Sequence, residues 1–217
     1  MPSQPLEYKI FYRQHLPHIQ PAGATFFVTF RLAESIPTTA IERLYEEALM
    51  TERRILQIKS KPEQQQEMVL AKKRQFARWD AVLDAAACGP NWLSQPVVAR
   101  VVSEAIYYHD NRTIDLDCFC IMSNHVHVVL TPLEEAAGGF FSLSRILHSI
   151  KSYSANRANR IIGREGRFWQ HESYDHYVRD PEELRRIRRY VLDNPVKAGL
   201  ADTCDRWAWS YCKYGFS

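Results

Sequence analysis

The chain has 217 residues, 46% of them hydrophobic and 24% charged, which is the composition of a folded globular protein. The net charge of +3 is too small to indicate nucleic-acid binding by itself, and no apolar run approaches the ~20 residues of a membrane span. The N-terminal residues lack the basic-then-apolar order of a signal peptide, and the five cysteines form no CxxC pair. An odd number of cysteines without such a pair fits a reducing compartment, so we expect a cytoplasmic protein that does not bind membranes.

The first third of the chain predicts one strand followed by two helices. An aromatic and β-branched run over 24–32 indicates the strand. Residues 38–58 and a segment from Pro62 to about 86 carry apolar side chains at helical spacing. This pair of helices is more charged than its flanks, so we predict a helical-hairpin insertion over 38–88 within a single domain spanning 1–217.

The rest of the chain predicts further helices and strands in alternation. In order, we expect a helix over 94–109, strands over 113–122 and 125–131, a helix over 143–162, a short strand or irregular segment over 168–178, and a helix from 181 to about 192. Ser94 and Asp180 are expected to cap two of the helices, and Asn194-Pro195 is expected to end the last one. An antiparallel strand pair among helices indicates an α+β fold with helices packed on the sheet. The aromatic tail over 207–211 is expected to pack onto it.

Two histidines in the second of these paired strands suggest a metal site. His125 and His127 are two residues apart, so both imidazoles project from one face of the strand, about 6–7 Å apart along it. Imidazole is the commonest metal ligand in proteins. The alternative is a pair of core histidines that find backbone partners, and a metal site also needs a third ligand.

The last predicted helix carries polar groups that would complement such a site. Tyr190 and Asn194 are four residues apart and lie on one side of the helix, with Arg186 one turn earlier. If this helix crosses the sheet near the histidines, Asn194 supplies a third ligand through its carbonyl oxygen. The hydroxyl group of Tyr190 then faces whatever the metal polarises.

Basic and aromatic side chains alternate between Lys151 and Arg189. Cations that bind phosphates, together with flat rings that stack on bases, are typical of single-stranded nucleic-acid grooves. The alternative is an ordinary solvated helix face. Trp169, within the same stretch, is better explained as a core residue than as a base-stacking one.

Three motifs that follow one another along the chain resemble those of a known protein family. The runs Met122-Ser123-Asn124-His125-Val126-His127, Phe168-Trp169-Gln170-His171 and Tyr190-Val191-Leu192-Asp193-Asn194-Pro195-Val196-Lys197-Ala198-Gly199-Leu200 resemble the HUH-type, single-tyrosine transposases, and most closely their REP-associated branch. The resemblance covers about 8–35 and 95–212, and leaves 38–88 outside. It implies a ferredoxin-like antiparallel sheet, with the histidine pair on a central strand and the tyrosine on a helix.

The resemblance also implies the chemistry. His125 and His127 match the metal pair, Asn194 matches the third ligand, for which other branches use Gln, and Tyr190 matches the nucleophile. The implied activity is Mg²⁺- or Mn²⁺-dependent nicking and strand transfer of single-stranded DNA hairpins through a 5′-phosphotyrosine. The chain is expected to be either a monomer or a homodimer. The cations expected to contact DNA are Lys151, Arg157, Arg160, Arg186, Arg189 and Lys197.

Other functions fit less well. A histidine-triad nucleotide hydrolase needs a third histidine, and a metallohydrolase of the HxHxD type needs an aspartate, where this chain has Val129. Tyr153 is a rival nucleophile, but the residue four positions later is the cation Arg157, and stacking or packing is the favoured role of Tyr174 and Tyr177. The stronger competitor is a non-catalytic regulator that binds DNA hairpins and retains the transposase fold.

Overall fold

The computed structural model describes residues 23–85 and 89–216. Its elements are β1 (Phe26–Arg31), α1 (Thr38–Leu56), α2 (Lys61–Asp84), α3 (Pro96–His109), β2 (Ile114–Ile121), β3 (His125–Pro132), α4 (Leu143–Ile161), β4 (Tyr174–Tyr177), α5 (Pro181–Lys197) and β5 (Ser210–Cys212), with short 3₁₀ turns at Trp92–Ser94 and Cys204–Arg206. Within the described ranges, 36–85 form one compact unit and the remaining residues a second.

The second unit is built on a five-stranded sheet in the order β4-β1-β3-β2-β5, in which every neighbouring pair is antiparallel. The first four of these strands have the order of a ferredoxin-like fold, in which α3 belongs to the connection from β1 to β2 and α4 to the connection from β3 to β4. β3 lies in the centre of the sheet. The predicted α+β fold with a ferredoxin-like antiparallel sheet is therefore confirmed.

The two faces of the sheet differ in what covers them. One face packs against α3 and α4 in the main hydrophobic core, whose strand residues are Phe26, Val28, Phe30, Ile114, Leu116, Phe119, Ile121, Val126, Val128 and Leu130. Because strand side chains alternate between faces, His125 and His127 point to the opposite face, which α5 contacts. A β-bulge between Leu116 and Cys118 reverses the alternation along β2.

The last helix is longer than predicted, because it continues through Asn194-Pro195 to Lys197. Pro195 lies in the final turn, where the missing N–H removes only one helical hydrogen bond. Pro195 is buried, as are the neighbouring Val191 and Leu192, and this packing offsets the loss. The expected stop at Asn194 is wrong, and Asn194 stays in helical register with Tyr190.

The structure also tests the two predicted helix caps and the predicted packing of the aromatic tail. Asp180 caps α5 as predicted, since its Oδ1 accepts a 2.8 Å hydrogen bond from the Glu183 N–H. Ser94 does not cap α3, because it belongs to a 3₁₀ turn in which its hydroxyl group donates to the Asn91 carbonyl oxygen, 2.6 Å away. The aromatic tail packs as expected and also adds β5 to the sheet edge.

The other unit is a helical hairpin, as predicted for this part of the chain. Ile55, Met68 and Ala71 form a small hydrophobic cluster where α1 and α2 pack together. The amide group of Gln75 donates a 2.9 Å hydrogen bond to the Leu44 carbonyl oxygen and ties the two helices. The last residues of the expected insertion, 86–88, lie outside the described residues. Among those that the structure describes, no helix combines the length and apolar character needed to cross a bilayer.

Candidate active site

Two histidines converge on the α5 side of the sheet. His125 and His127 are fully buried, and their Nε2 atoms lie 2.9 Å apart with ring centroids 4.6 Å apart. One ion can bind both nitrogens, since metal–imidazole bonds are about 2.0–2.1 Å long. The pairing of the two rings comes directly from their i, i+2 spacing on β3.

The outer nitrogens of both rings are fixed by polar neighbours. Asn124 Oδ1 accepts a 2.7 Å hydrogen bond from the Nδ1–H of His125, and Thr29 Oγ1 lies 2.7 Å from His127 Nδ1. Thr29 is the partner of His127 on the neighbouring strand β1. Such partners orient imidazoles so that the other nitrogen faces a metal. Neither residue was predicted from the sequence to orient the histidines, although the alternation of β1 places Thr29 on the correct face.

Burial also sets the charge of the pair. Burial lowers the pKa of His125 to about 3. The pKa of His127 is lowered as well, first by burial and then by the nearby charges of His125 and Lys197. Both rings are therefore neutral at physiological pH, and neutral imidazole is the form that binds metal ions.

Tyr190 extends from α5 towards this pair. Its ring packs edge-on against His127, with centroids 5.7 Å apart, and against Phe27, with centroids 6.1 Å apart. The ammonium group of Lys197 lies 4.9 Å from the centroid of the same ring. The helix thus brings a tyrosine and a cation beside the histidine pair.

Asn194 lies one helical turn beyond Tyr190, and its side chain is 1% exposed. Neither its Oδ1 nor its Nδ2 has a hydrogen-bond partner among residues 23–85 and 89–216. A buried amide without partners costs about 1–3 kcal/mol. That cost is explained if the oxygen serves as a ligand, so the residues present fit a divalent cation.

A bidentate ion pair fixes α5 to the sheet. Arg188 donates from Nε to Asp117 Oδ1 at 2.8 Å and from Nη2 to Asp117 Oδ2 at 2.5 Å. Asp117 is the extra residue of the β2 bulge, which directs its carboxylate towards the helix. This hydrogen bond is the main cause of the raised pKa of Arg188. The pair holds the helix that carries Tyr190, and the sequence offered no signal for it.

Breaking this pair is expected to destabilise the protein. Asp117→Asn keeps the shape of the side chain but removes its charge. The side chains of Arg188 and Asp117 are only 22% and 12% exposed. We expect a loss of about 1–3 kcal/mol in the free energy of unfolding, measured by urea denaturation. The matched control is Glu182→Gln, whose partner Arg186 is 58% exposed, and it should cost about 0.5 kcal/mol or less. Equal losses in the two variants would contradict an anchoring role.

Comparison with known proteins relates about half of the chain to one protein family. Residues 91–194, which include the histidine pair, Tyr190 and Asn194, match the family model described as IS200-like transposase. This part of the chain resembles the IS200-like transposases.

Two similar proteins carry more specific names. A Haemophilus influenzae protein, whose curated name provisionally makes it a REP-associated tyrosine transposase, is 25% identical over 96 residues. These are 42% of this chain and 54% of the relative, so the chain spans about half the length of the curated protein that it matches. A solved REP-associated tyrosine transposase bound to a REP hairpin has a TM-score of 0.52 and 16% identity, over 91% of this chain and 82% of that chain. The latter likeness shows a shared fold, and the resemblance read from the sequence is confirmed.

The cations expected to bind DNA lie in different settings on α4 and α5. Arg157, Arg160, Arg186, Arg189 and Lys197 are exposed. Two of them make local contacts: Arg157 donates to the Tyr153 hydroxyl group at 3.1 Å, and Arg186 pairs with Glu182 at 2.6 Å. Trp169 lies in the main hydrophobic core, where its Nε1 donates to Ser154 Oγ at 2.9 Å.

Lys151 differs from the five exposed cations because it is half-buried and its ammonium group makes three hydrogen bonds within the protein. Its Nζ donates to the carbonyl oxygens of Gln170 and His171, at 2.6 and 2.9 Å, and to Ser173 Oγ at 3.2 Å. Burial is the main reason that the pKa of Lys151 falls to about 8. In this position Lys151 holds the segment that leads into β4.

Proposed function

We propose that the chain is a metal-dependent endonuclease and strand transferase, acting on single-stranded, hairpin-forming repetitive DNA through a 5′-phosphotyrosine. The observation that carries this proposal is the packing of the Tyr190 ring 5.7 Å from His127, beside two convergent imidazole nitrogens. The name of the curated relative and the REP hairpin bound to the structural neighbour support the same substrate. Genomic DNA as a substrate also favours the cytoplasm as its compartment.

His125, His127 and Asn194 would hold the divalent cation. When bound, Mg²⁺ or Mn²⁺ polarises a phosphate group and offsets the negative charge that develops on it. Two nitrogen ligands favour Mn²⁺ over the harder Mg²⁺. The neutral state of both imidazoles and the unpartnered amide of Asn194 support this assignment.

Tyr190 is the proposed nucleophile. Its Oη attacks the scissile phosphorus, the bond from phosphorus to the 3′-oxygen breaks, the tyrosine proton leaves, and the freed 3′-oxygen takes up a proton. A tyrosine with a pKa of about 10 is only ~0.1% ionised at pH 7, so the phenolate needs stabilisation. The Lys197 ammonium group, 4.9 Å from the ring, provides positive charge there. A second 3′-hydroxyl group can reverse the step and rejoin strands, because the phosphotyrosine conserves the phosphodiester bond.

The exposed cations would bind the DNA on either side of this centre. Arg186 and Arg189 lie on α5 with Tyr190, whereas Arg157 and Arg160 lie on α4. Lys151 would contribute through the segment that it holds as well as through its charge. We propose a single catalytic domain with 38–88 inserted in it, acting as a monomer or homodimer.

The direct test combines the purified chain, Mn²⁺ or Mg²⁺, and a 5′- or 3′-labelled hairpin oligonucleotide with single-stranded flanks. We expect a covalent protein–DNA adduct that survives denaturing electrophoresis, and the release of a fragment with a free 3′-hydroxyl group. Tight binding of the hairpin without any adduct would overturn the proposal in favour of a non-catalytic hairpin-binding regulator.

Loss of the third ligand is expected to weaken metal binding. Binding of Mn²⁺ should raise the melting temperature of the wild type, because a ligand that binds only the folded state stabilises it. Asn194→Ala should need at least about tenfold more Mn²⁺ for the same rise. Asn156→Ala, an exposed asparagine on α4, is the matched control and should respond like the wild type. An unchanged Mn²⁺ response in Asn194→Ala would remove this residue from the site.

A further inference from the structure

The helical hairpin carries a basic groove for which neither the fold nor the proposed active site accounts. It has a volume of about 360 Å³ and is lined by three arginines, Arg54, Arg74 and Arg78, with Met50, Thr51 and Gln75 between them. The groove lies wholly within α1 and α2, outside the residues that match the transposase family.

The sequence places these side chains together by helical periodicity. On α1, Met50, Thr51 and Arg54 share one face, since residues three and four apart are neighbours on a helix. On α2, Arg74 and Arg78 are one turn apart, about 6 Å along the axis. The floor of the groove contains the small, buried Ala71, which leaves room above it.

The groove has an excess of positive charge. Arg78 pairs with Glu47 at 2.7 Å, but the two side chains are 56% and 40% exposed, so the pair is weak and exchangeable. Within the described part of the chain, neither Arg54 nor Arg74 forms an ion pair with a carboxylate. Arginine binds phosphate oxygens through paired N–H groups, so the groove is complementary to a phosphate-bearing ligand.

We propose that this groove binds the sugar–phosphate backbone of the duplex stem of a DNA hairpin; this inference rests on the proposed function. Single-strand sites combine cations with aromatic rings on which bases stack. No aromatic side chain is among the described residues that line this groove. Cations without rings contact phosphates and carry no base readout, which suits a paired stem whose bases are stacked inside. The groove would thus hold the stem, while the site on α5 acts on the single strand.

The test measures the affinity for two probes over a range of salt concentrations. The probes are a DNA hairpin with a single-stranded tail and the same tail alone. The variant Arg54→Gln/Arg74→Gln is compared with Arg43→Gln/Arg53→Gln, which removes the same charge from exposed residues of the same hairpin outside the groove. Equal melting temperatures establish that both variants are folded.

Arg54→Gln/Arg74→Gln removes two phosphate contacts, so the slope of log K against log salt for the hairpin should become shallower by about 1.8. If affinity at 1 M salt is unchanged, this corresponds to a loss of about 60-fold in hairpin affinity at 0.1 M salt. Binding of the tail alone, and the rate of adduct formation at saturating hairpin, should match the wild type within about twofold. The control variant should lose less than about threefold in hairpin affinity at 0.1 M salt.

Three results would overturn the inference. The first is an equal loss of hairpin affinity in both variants, and the second is a loss of affinity for the tail alone that matches the loss for the hairpin. The third is no loss of hairpin affinity in Arg54→Gln/Arg74→Gln. A wild type without affinity for the hairpin would count as the third result. A wild type that binds the hairpin through the groove but forms no adduct would refute the proposed catalysis and leave the groove standing. The two proposals therefore fail separately.

Discussion

Tyr190→Phe is expected to abolish the covalent protein–DNA adduct and to lower strand cleavage by at least about 10³-fold. Phenylalanine keeps the ring that packs against His127 and Phe27 but removes the oxygen that forms the bond to phosphorus. Hairpin affinity should stay within about twofold of the wild type, because the substitution changes no charge. Adduct formation is followed by denaturing electrophoresis with labelled DNA.

The matched control for this variant is Tyr153→Phe. Tyr153 is 45% exposed on α4, and its hydroxyl group accepts a hydrogen bond from Arg157. Loss of that exposed hydrogen bond should leave cleavage within about twofold of the wild type. If Tyr153→Phe abolished the adduct and Tyr190→Phe did not, the nucleophile would lie on α4, and the account of α5 would be wrong.

His127→Ala is expected to remove metal stimulation and to lower cleavage about 10²–10⁴-fold, because the pair then offers one imidazole instead of two. The same change also deletes buried contacts with Thr29 and His125, so a loss of stability accompanies it. Cleavage must therefore be compared at a temperature at which the variant is folded, with and without Mn²⁺.

His109→Ala is the control that separates a loss of metal-dependent cleavage from a loss of stability. His109 is also a buried histidine, with ring nitrogens 2.8 Å from Thr113 Oγ1 and 3.0 Å from Ser149 Oγ, but it lies on α3, on the far side of the sheet. This variant should lose stability of similar size, about 1–3 kcal/mol, and keep Mn²⁺-dependent cleavage. A similar loss of cleavage in both variants, under folding conditions, would contradict a special role for His127.

Much of this site follows from local periodicity. The two-residue period of β3 puts both histidines on one face, and the helical period of α5 aligns Tyr190 with Asn194. Asp180 and the residues after it show where that helix begins. Each of these signals depends on a few adjacent residues, so a single sequence reveals them.

Other features depend on distant partners, which local patterns do not encode. The role of Asp117 arises from a bulge in β2 and from Arg188, 71 residues away. Thr29 faces His127 only because β1 and β3 pair in a particular register. Pro195 stays helical because its burial compensates for a lost hydrogen bond, and the propensity of proline alone predicts the reverse.

The groove on the helical hairpin also depends on residues that are distant in the sequence. Its three arginines resemble the other charged residues of α1 and α2 when the sequence is read alone. Only the pairing of the two helices, fixed by contacts such as that of Gln75 with Leu44, shows which of the charges share one face.

The central claim is that Tyr190 attacks DNA beside the histidine pair. Mapping the covalent adduct by mass spectrometry after digestion with trypsin tests it most directly. Trypsin cuts after Arg189 and Lys197, so the peptide 190–197 contains Tyr190 as its only tyrosine. We expect a 5′-phosphorylated nucleotide on Tyr190 in this peptide. A nucleotide on the peptide 152–157, which contains Tyr153, or on any other tyrosine would contradict it.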